Sequence, residues 1–153
     1  MTCATIMTPD PVTLRESDSV AAAAAILLKR RFMILPVVDQ SGRYKGQFGV
    51  FDLLRLMLPK AATLDEQDDL HISFLADTLE DVRKEFASLQ QKPIREHVRK
   101  DLPVLHPDTP MMECLRLLYR SRSPLPVVEG RSGRVVGVVS YWDAVKAVAG
   151  DGQ

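Results

Sequence analysis

The stretches DSVAAAAAILLKRRFMILPVV (Asp18 to Val38) and DTPMMECLRLLYRSRSPLPVV (Asp108 to Val128) overlay at an offset of 90 residues without a gap, and both close on Leu-Pro-Val-Val. Downstream, SGRYKGQFGVFDLL (Ser41 to Leu54) lies over SGRVVGVVSYWDAV (Ser132 to Val145) at an offset of 91, with Ser-Gly-Arg, a glycine and an aspartate in register. Upstream, Asp10-Pro11-Val12 overlays Leu102-Pro103-Val104 at an offset of 92. Self-similarity of this length means that one supersecondary unit occurs twice.

Each copy reads as strand, helix, strand, strand, helix, which places the chain in the α/β class in its broad sense (α+β). A short extended lead-in around Pro-Val comes first. The helix after it takes Ser19 as N-cap in the first copy, and Thr109 as N-cap with Pro110 as first helical residue in the second. Its apolar face is Met111, Cys114, Leu115 and Leu118 in the second copy, matched by Ala21, Ala24, Ala25 and Leu28 in the first. Strands follow at Leu35 to Val38 and Leu125 to Val128, then a Ser-Gly turn, then strands at Tyr44 to Val50 and Arg134 to Val139. A last helix starts at each aspartate. One copy is too small to bury its sheet and helices alone, and pairing the copies supplies what is missing, as one core or as two small ones that lean on each other.

Composition excludes several classes of function. The chain of 153 residues balances 20 Lys and Arg against 20 Asp and Glu, so no net field draws it to nucleic acid or to an anionic membrane. It also lacks a basic stripe with aromatic platforms. The longest apolar run, Val20 to Leu28, falls far short of the roughly 20 residues that span a bilayer. Met1 to Pro9 has neither the basic start nor the apolar stretch of a secretory signal. Two cysteines, Cys3 and Cys114, are too few for a disulfide framework, and a cytoplasmic location is expected. His71, His97 and His106 have no Cys or acidic neighbours at ligand spacing, so no metal site is expected. No nucleophile stands beside a base and no Walker loop is present, which argues against an enzyme.

The repeats are expected over 1–59 and 93–149, with a connection over 60–92 and a tail at 150–153. From Thr63 to Lys92 eight acidic residues (Asp65, Glu66, Asp68, Asp69, Asp77, Glu80, Asp81, Glu85) face three basic ones. Within it, Asp77 to Leu89 reads as an added helix whose apolar face is Leu79, Val82, Phe86 and Leu89.

The Leu-Pro-Val-Val strand, the glycine turn, and Gly-x-x-Ser-x-x-Asp at Gly137, Ser140 and Asp143 resemble CBS domains. The resemblance implies two repeats packed through their sheets as a pseudo-two-fold Bateman module. It implies that AMP, ADP, ATP, S-adenosylmethionine or a related adenosyl ligand binds between the repeats, with no covalently held cofactor. It further implies a homodimer shaped as a flat disc, and a regulated partner protein that responds to the sensed metabolite.

Chemistry assigns roles within such a site. Asp143, in the first turn of a helix, can accept both vicinal hydroxyls of a ribose. Val127, Val128 and Val138 would flank a flat base, and Ser140 with the free N–H groups of the helix start would meet phosphate oxygens. The family pattern adds Val12 and Thr13 from the first lead-in, and Val104 and Leu105 from the second. Ser140 and Asp143 are also spaced as a capping box, so helix capping is the competing explanation, against which the two registered copies favour ligand contact at Asp143. In the first copy Asp52 takes the acid's place, but Gly49 stands where the family has Ser or Thr. That site therefore binds without the hydroxyl, takes a smaller ligand, or is empty. The family's basic residue before Pro-Val-Val is also missing: those places hold Met33 and Ile34, or Ser123 and Pro124. Arg30, Arg31, Arg120 and Arg122 lie close by, either as phosphate contacts or as solvated charges that favour the helix dipole. A zwitterionic adenosyl ligand such as S-adenosylmethionine fits that composition. The competing reading is a structural dimerisation module with non-binding clefts.

Overall fold

The computed structural model describes residues 1–58 and 78–150. In chain order its elements are α1 (Cys3–Ile6), β1 (Thr8–Pro9), β2 (Leu14–Arg15), α2 (Val20–Arg30), β3 (Ile34–Val38), β4 (Tyr44–Gly49), α3 (Val50–Met57) and α4 (Leu79–Ala87). They continue, after a 3-10 turn at Ile94–His97, with α5 (Met111–Ser121), β5 (Leu125–Val128), β6 (Val135–Val139) and α6 (Tyr141–Ala149). Two three-stranded sheets result, ordered β2-β3-β4 and β1-β6-β5. The residues of both Leu-Pro-Val-Val strands are all buried, as a run of β-branched and apolar residues covered on both faces requires; β3 is the middle strand of its sheet, while β5 lies beyond β6 and takes a parallel bridge from Leu105 on its other side. Leu35 faces Phe48 across one hairpin and Leu125 faces Val139 across the other. Each sheet carries its own core, one built on Leu14, Val20, Leu27, Val37 and Phe48, the other on Leu105, Cys114, Leu118, Val127 and Val139.

The two units are joined by an exchange of lead-in segments. Strand β1, at the start of the chain, pairs antiparallel with β6 of the second repeat, Thr8 opposite Val138. Reciprocally, Arg99 from the segment before the second repeat pairs with Gln47 on β4 of the first. The exchange is symmetric to the residue. Cys3 N–H donates to Thr109 O at 2.9 Å, and Ile94 N–H, 91 residues on, donates to Asp18 O at 2.9 Å. Cys3 and Ile94 are both fully buried, each in the other repeat's core. Burying an isoleucine this way contributes about 2 kcal/mol. The pseudo-two-fold axis passes between Arg43 and Arg134, which form an isolated antiparallel bridge. Around it Tyr44 N–H donates to Gly133 O at 2.9 Å and Val135 N–H to Gly42 O at 3.1 Å.

Three sequence expectations need correction. First, the gapless overlay at 90 is wrong across the helix: the helices, their caps and the left-handed residues Arg31 and Arg122 that end them correspond at 91. Only the Leu-Pro-Val-Val strands correspond at 90, because three residues (Phe32, Met33, Ile34) join helix to that tetrapeptide in the first repeat and two (Ser123, Pro124) in the second. Second, the buried face of α2 is accordingly Val20, Ala23, Ala24 and Leu27, while Leu28 is largely exposed. Third, α5 starts at Met111 with Pro110 as N-cap. Thr109 sits one place earlier, where its hydroxyl accepts from His106 N–H at 2.9 Å. Asp18 does the same for Arg15 N–H in the first repeat, at 2.8 Å.

The added helix is α4, capped by Thr78. Phe86 leans on the first core, and Leu79 is largely exposed. Asp77 and most of the acidic connection, with Asp65, Glu66, Asp68, Asp69 and His71, lie outside the described residues, as does the tail after Gly150. Among the described residues no helix is long and apolar enough to cross a membrane.

Glycine is required where the lead-ins cross the sheets. A Cβ on Gly46 (φ +144°) would overlap the Arg99 carbonyl and the Val98 side chain, whereas one on its counterpart Gly137 would meet chiefly the flexible end of Met7. Overpacking against backbone costs about 1–3 kcal/mol. Gly46→Ala is therefore expected to destabilise the protein within that range and more than Gly137→Ala, read from urea unfolding midpoints.

Candidate functional site

A cleft of about 710 Å³ opens between the repeats and is lined by residues of both. Its second-repeat wall is the start of α6. There Ser140 N–H donates to Asp143 Oδ2 at 2.8 Å, the Ser140 hydroxyl to the same oxygen at 3.0 Å, and Asp143 N–H returns a bond to Ser140 Oγ at 3.1 Å. The capping box is thus formed. It engages Oδ2, while Oδ1 accepts a longer bond, 3.2 Å, from the hydroxyl of Thr8 on β1. Asp143 is half-buried and lines the cleft with Ser140 and Thr8. A vicinal diol can replace or join so long a contact, because an ionised carboxylate offers about four acceptor positions.

The cleft is framed by cations and aromatic rings. Arg31 and Arg122 line it, one from each repeat, and Arg99 joins them from the second lead-in. Asp10, Arg31 and Arg122 are the three non-glycine residues with left-handed φ (47°, 58° and 52°) among the described residues, and all three line the cleft. That conformation costs a non-glycine residue about 1–2 kcal/mol. Helix ends of this kind normally take glycine, so arginine at both is kept against a backbone cost. The Leu118 carbonyl accepts from Arg122 N–H at 3.1 Å and from the Tyr141 hydroxyl at 3.4 Å, tying this arginine's backbone to the start of α6. Phe51 and Trp142, symmetry counterparts 91 residues apart, are 59% and 85% exposed and flank the cleft.

Of the residues singled out in the sequence, the structure brings Asp143, Ser140, Val138, Val12 and Arg122 to this one cleft. Others lie elsewhere. Val127 and Leu105 are fully buried in the second core, each other's neighbour in a parallel bridge. Leu105 ends a lead-in that turns inward beside β5, and Val127 on β5 belongs to the same core. Val128 is buried, and Thr13 and Val104 are half-buried, outside the cleft lining. Arg30 and Arg120 are exposed at the helix ends and do not line it.

Asp52 is fully buried. Gly49 N–H donates to its Oδ2 at 2.8 Å, and Arg55, one turn along α3, forms an ion pair with it. Arg99 Nε stands 3.2 Å from Oδ1, close enough for an ion pair but not aligned for a hydrogen bond. Burial pushes the Asp52 carboxyl above its usual range, opposed by the Gly49 amide and the two guanidinium groups. Gly49 has its own cause. The extra residue before Leu35 brings the Met33 carbonyl to the spot that a Cβ on Gly49 would fill, and Val50 N–H donates to that carbonyl at 2.9 Å.

Thr8, Asp10, Phe51 and Trp142 escaped the sequence reading, as did Arg99. The lead-ins correspond at 91 and not at 92, which lays Asp10 on Asp101 and Thr8 on Arg99, and the second pairing shows only in the fold. Among the described residues no three His, Cys, Asp or Glu side chains come together as metal ligands do.

A family model described as CBS domain matches residues 3–59 and 94–150. The CBS-pair protein CBSX2 from Arabidopsis thaliana is similar in structure, with a TM-score of 0.77 at 22% identity over 97% of this chain and 94% of that one. CBSX2 in complex with AMP matches with a TM-score of 0.71 at 22% identity, covering 97% and 96% of the two chains. CbpB in complex with c-di-AMP matches with a TM-score of 0.70 at 13% identity, covering 97% and 85%.

The Met33 carbonyl makes a direct prediction. Gly49→Ser, which brings the first repeat's motif closer to the family's, is expected to lower stability by about 1–3 kcal/mol through overpacking, measured as a lower urea midpoint.

Proposed function

The chain belongs to the CBS domain family, and from that premise we propose that it is a regulatory module that binds one phosphorylated adenosine ligand in the cleft at Asp143 and signals its occupancy to a partner protein. The observation that carries this reading is the convergence, in one cleft, of the Asp143 carboxylate with Arg31 and Arg122, one arginine from each repeat. Asp143 takes the ribose diol through Oδ1, Val12 and Val138 flank the base, and the two arginines meet the phosphates. Arginine presents a planar fork of donors that matches phosphate oxygens. The family's usual basic positions are empty here, and the helix-end arginines, a residue or more earlier, supply that charge instead. This favours AMP, ADP or ATP over S-adenosylmethionine, whose sulfonium and ammonium groups would face three cations. The AMP held by CBSX2 and the c-di-AMP held by CbpB support an adenosine ligand.

Signalling follows from the site's being shared. A ligand that touches both repeats shifts their relative arrangement only by the difference in its affinity for the two arrangements. Bridging phosphates between Arg31 and Arg122 provides such a difference, because either arginine alone is a solvated charge. A partner that reads the angle between the repeats then reads occupancy. No step of this role breaks a covalent bond, and the reading is regulatory, not catalytic.

A thermal-shift panel of AMP, ADP, ATP, S-adenosylmethionine and NADH tests it, since specific binding raises apparent stability by mass action. The expected result is a saturable shift with the adenosine phosphates that exceeds the shift with S-adenosylmethionine, and that Asp143→Ala reduces to near zero. No shift on folded, dimeric protein would favour the structural dimerisation module. Arg122→Gly separates binding from folding. It relieves a left-handed arginine and so leaves Tm unchanged or raises it, while ADP affinity, read by calorimetry, falls at least about tenfold, the loss of one charged contact.

A further inference from the structure

We infer that the second half-site, around Asp52, is sealed by the chain's own Arg99, so that the module takes one ligand and not two. The stoichiometry rests on the functional reading above; the seal does not. The pseudo-two-fold lays Asp52 on Asp143, Gly49 on Ser140 and Arg99 on Thr8, each 91 residues apart. At Asp143 the lead-in offers a neutral hydroxyl at 3.2 Å, to an acid that lines an open cleft. At Asp52 the lead-in offers a guanidinium at the same distance, to an acid with no exposed surface.

Both oxygens of Asp52 are engaged. Oδ2 takes the Gly49 amide, and Oδ1 has Arg55 and Arg99. The Phe51 ring lies under both guanidinium groups, with centroid distances of 5.8 and 5.6 Å, and Asp52 keeps no exposed surface. On the other side the Met33 carbonyl fills the place where the counterpart serine side chain would stand. A ribose diol would have to displace two cations from a buried carboxylate, and a neutral diol cannot replace the charge that burial makes necessary. Arg99 lines the open cleft as well, so the side chain that seals one half-site adds positive charge to the other.

A double-mutant cycle with an ADP titration tests the seal. Asp52→Asn and Arg99→Gln are each expected to lower Tm by about 5 °C or more, and the double variant is expected to lose clearly less than the sum, because the two residues form one buried unit. Wild type should bind one ADP per chain, and Asp52→Asn should keep that stoichiometry with a Kd within about threefold. Additive Tm losses overturn the seal. So do two ADP per chain in wild type, which needs no variant to fold, and a loss of ADP affinity in Asp52→Asn equal to that in Asp143→Asn. If ADP binds nowhere, the functional reading fails while the thermal cycle still decides whether Arg99 seals Asp52.

Discussion

A two-strand hairpin with one helix on either side leaves an outer strand unpaired and a core open to water, and in this chain the missing strand comes from the other repeat. Thr8 pairs onto β6 and Arg99 onto β4, while Cys3 and Ile94 fill the cores that those sheets leave exposed. Two half-domains of this size would each be marginal alone. The exchange makes them one cooperative body, and it also decides where a ligand can go. Each crossing strand ends beside the acid at the start of the opposite repeat's last helix, so any molecule held at that acid touches both repeats.

Symmetry sets up two equivalent places, and one extra residue makes them different. The three-residue connection after Arg31, against two after Arg122, pushes the Met33 carbonyl under Gly49 and removes the hydroxyl that Ser140 supplies. Arg99 in place of Thr8 then converts an acid available to ligand into a buried ion pair. Breaking one partner out of such a pair costs about 3–5 kcal/mol, far more than a single neutral hydrogen bond returns. At Asp143 the balance is reversed: the Thr8 contact is long and neutral, so little is lost when a ligand takes over that oxygen. The left-handed arginines at the two helix ends complete the asymmetry of cost and use, since each carries a backbone cost and both face the same cleft.

What the sequence discloses follows the range of the interactions involved. Strands, turns and helices are local, and the Leu-Pro-Val-Val pairs, the Ser-Gly turns and the capping box at Ser140 and Asp143 all stand where periodicity and cap chemistry place them. The repeat itself was legible, but not its register through α2, because a run of five alanines overlays equally well at 90 or 91, and the identity of Leu-Pro-Val-Val favoured the wrong choice. Val127 and Leu105 show a second limit. A strand residue near a motif can face the cleft or the core, and only the parallel bridge between these two decides it. Thr8 and Arg99 show the third, since their importance comes from strand exchange over a long stretch of chain and leaves no local pattern.

The central claim is that one cleft per chain, at Asp143, is open to ligand and the other is filled by the protein. A crystal structure of the protein grown with saturating ADP tests it most directly. The account predicts one nucleotide per chain, with its ribose diol on Asp143, its phosphates between Arg31 and Arg122, and Arg99 still paired with Asp52. A nucleotide at Asp52, or an empty Asp143 cleft beside an ADP bound elsewhere on the chain, would contradict it.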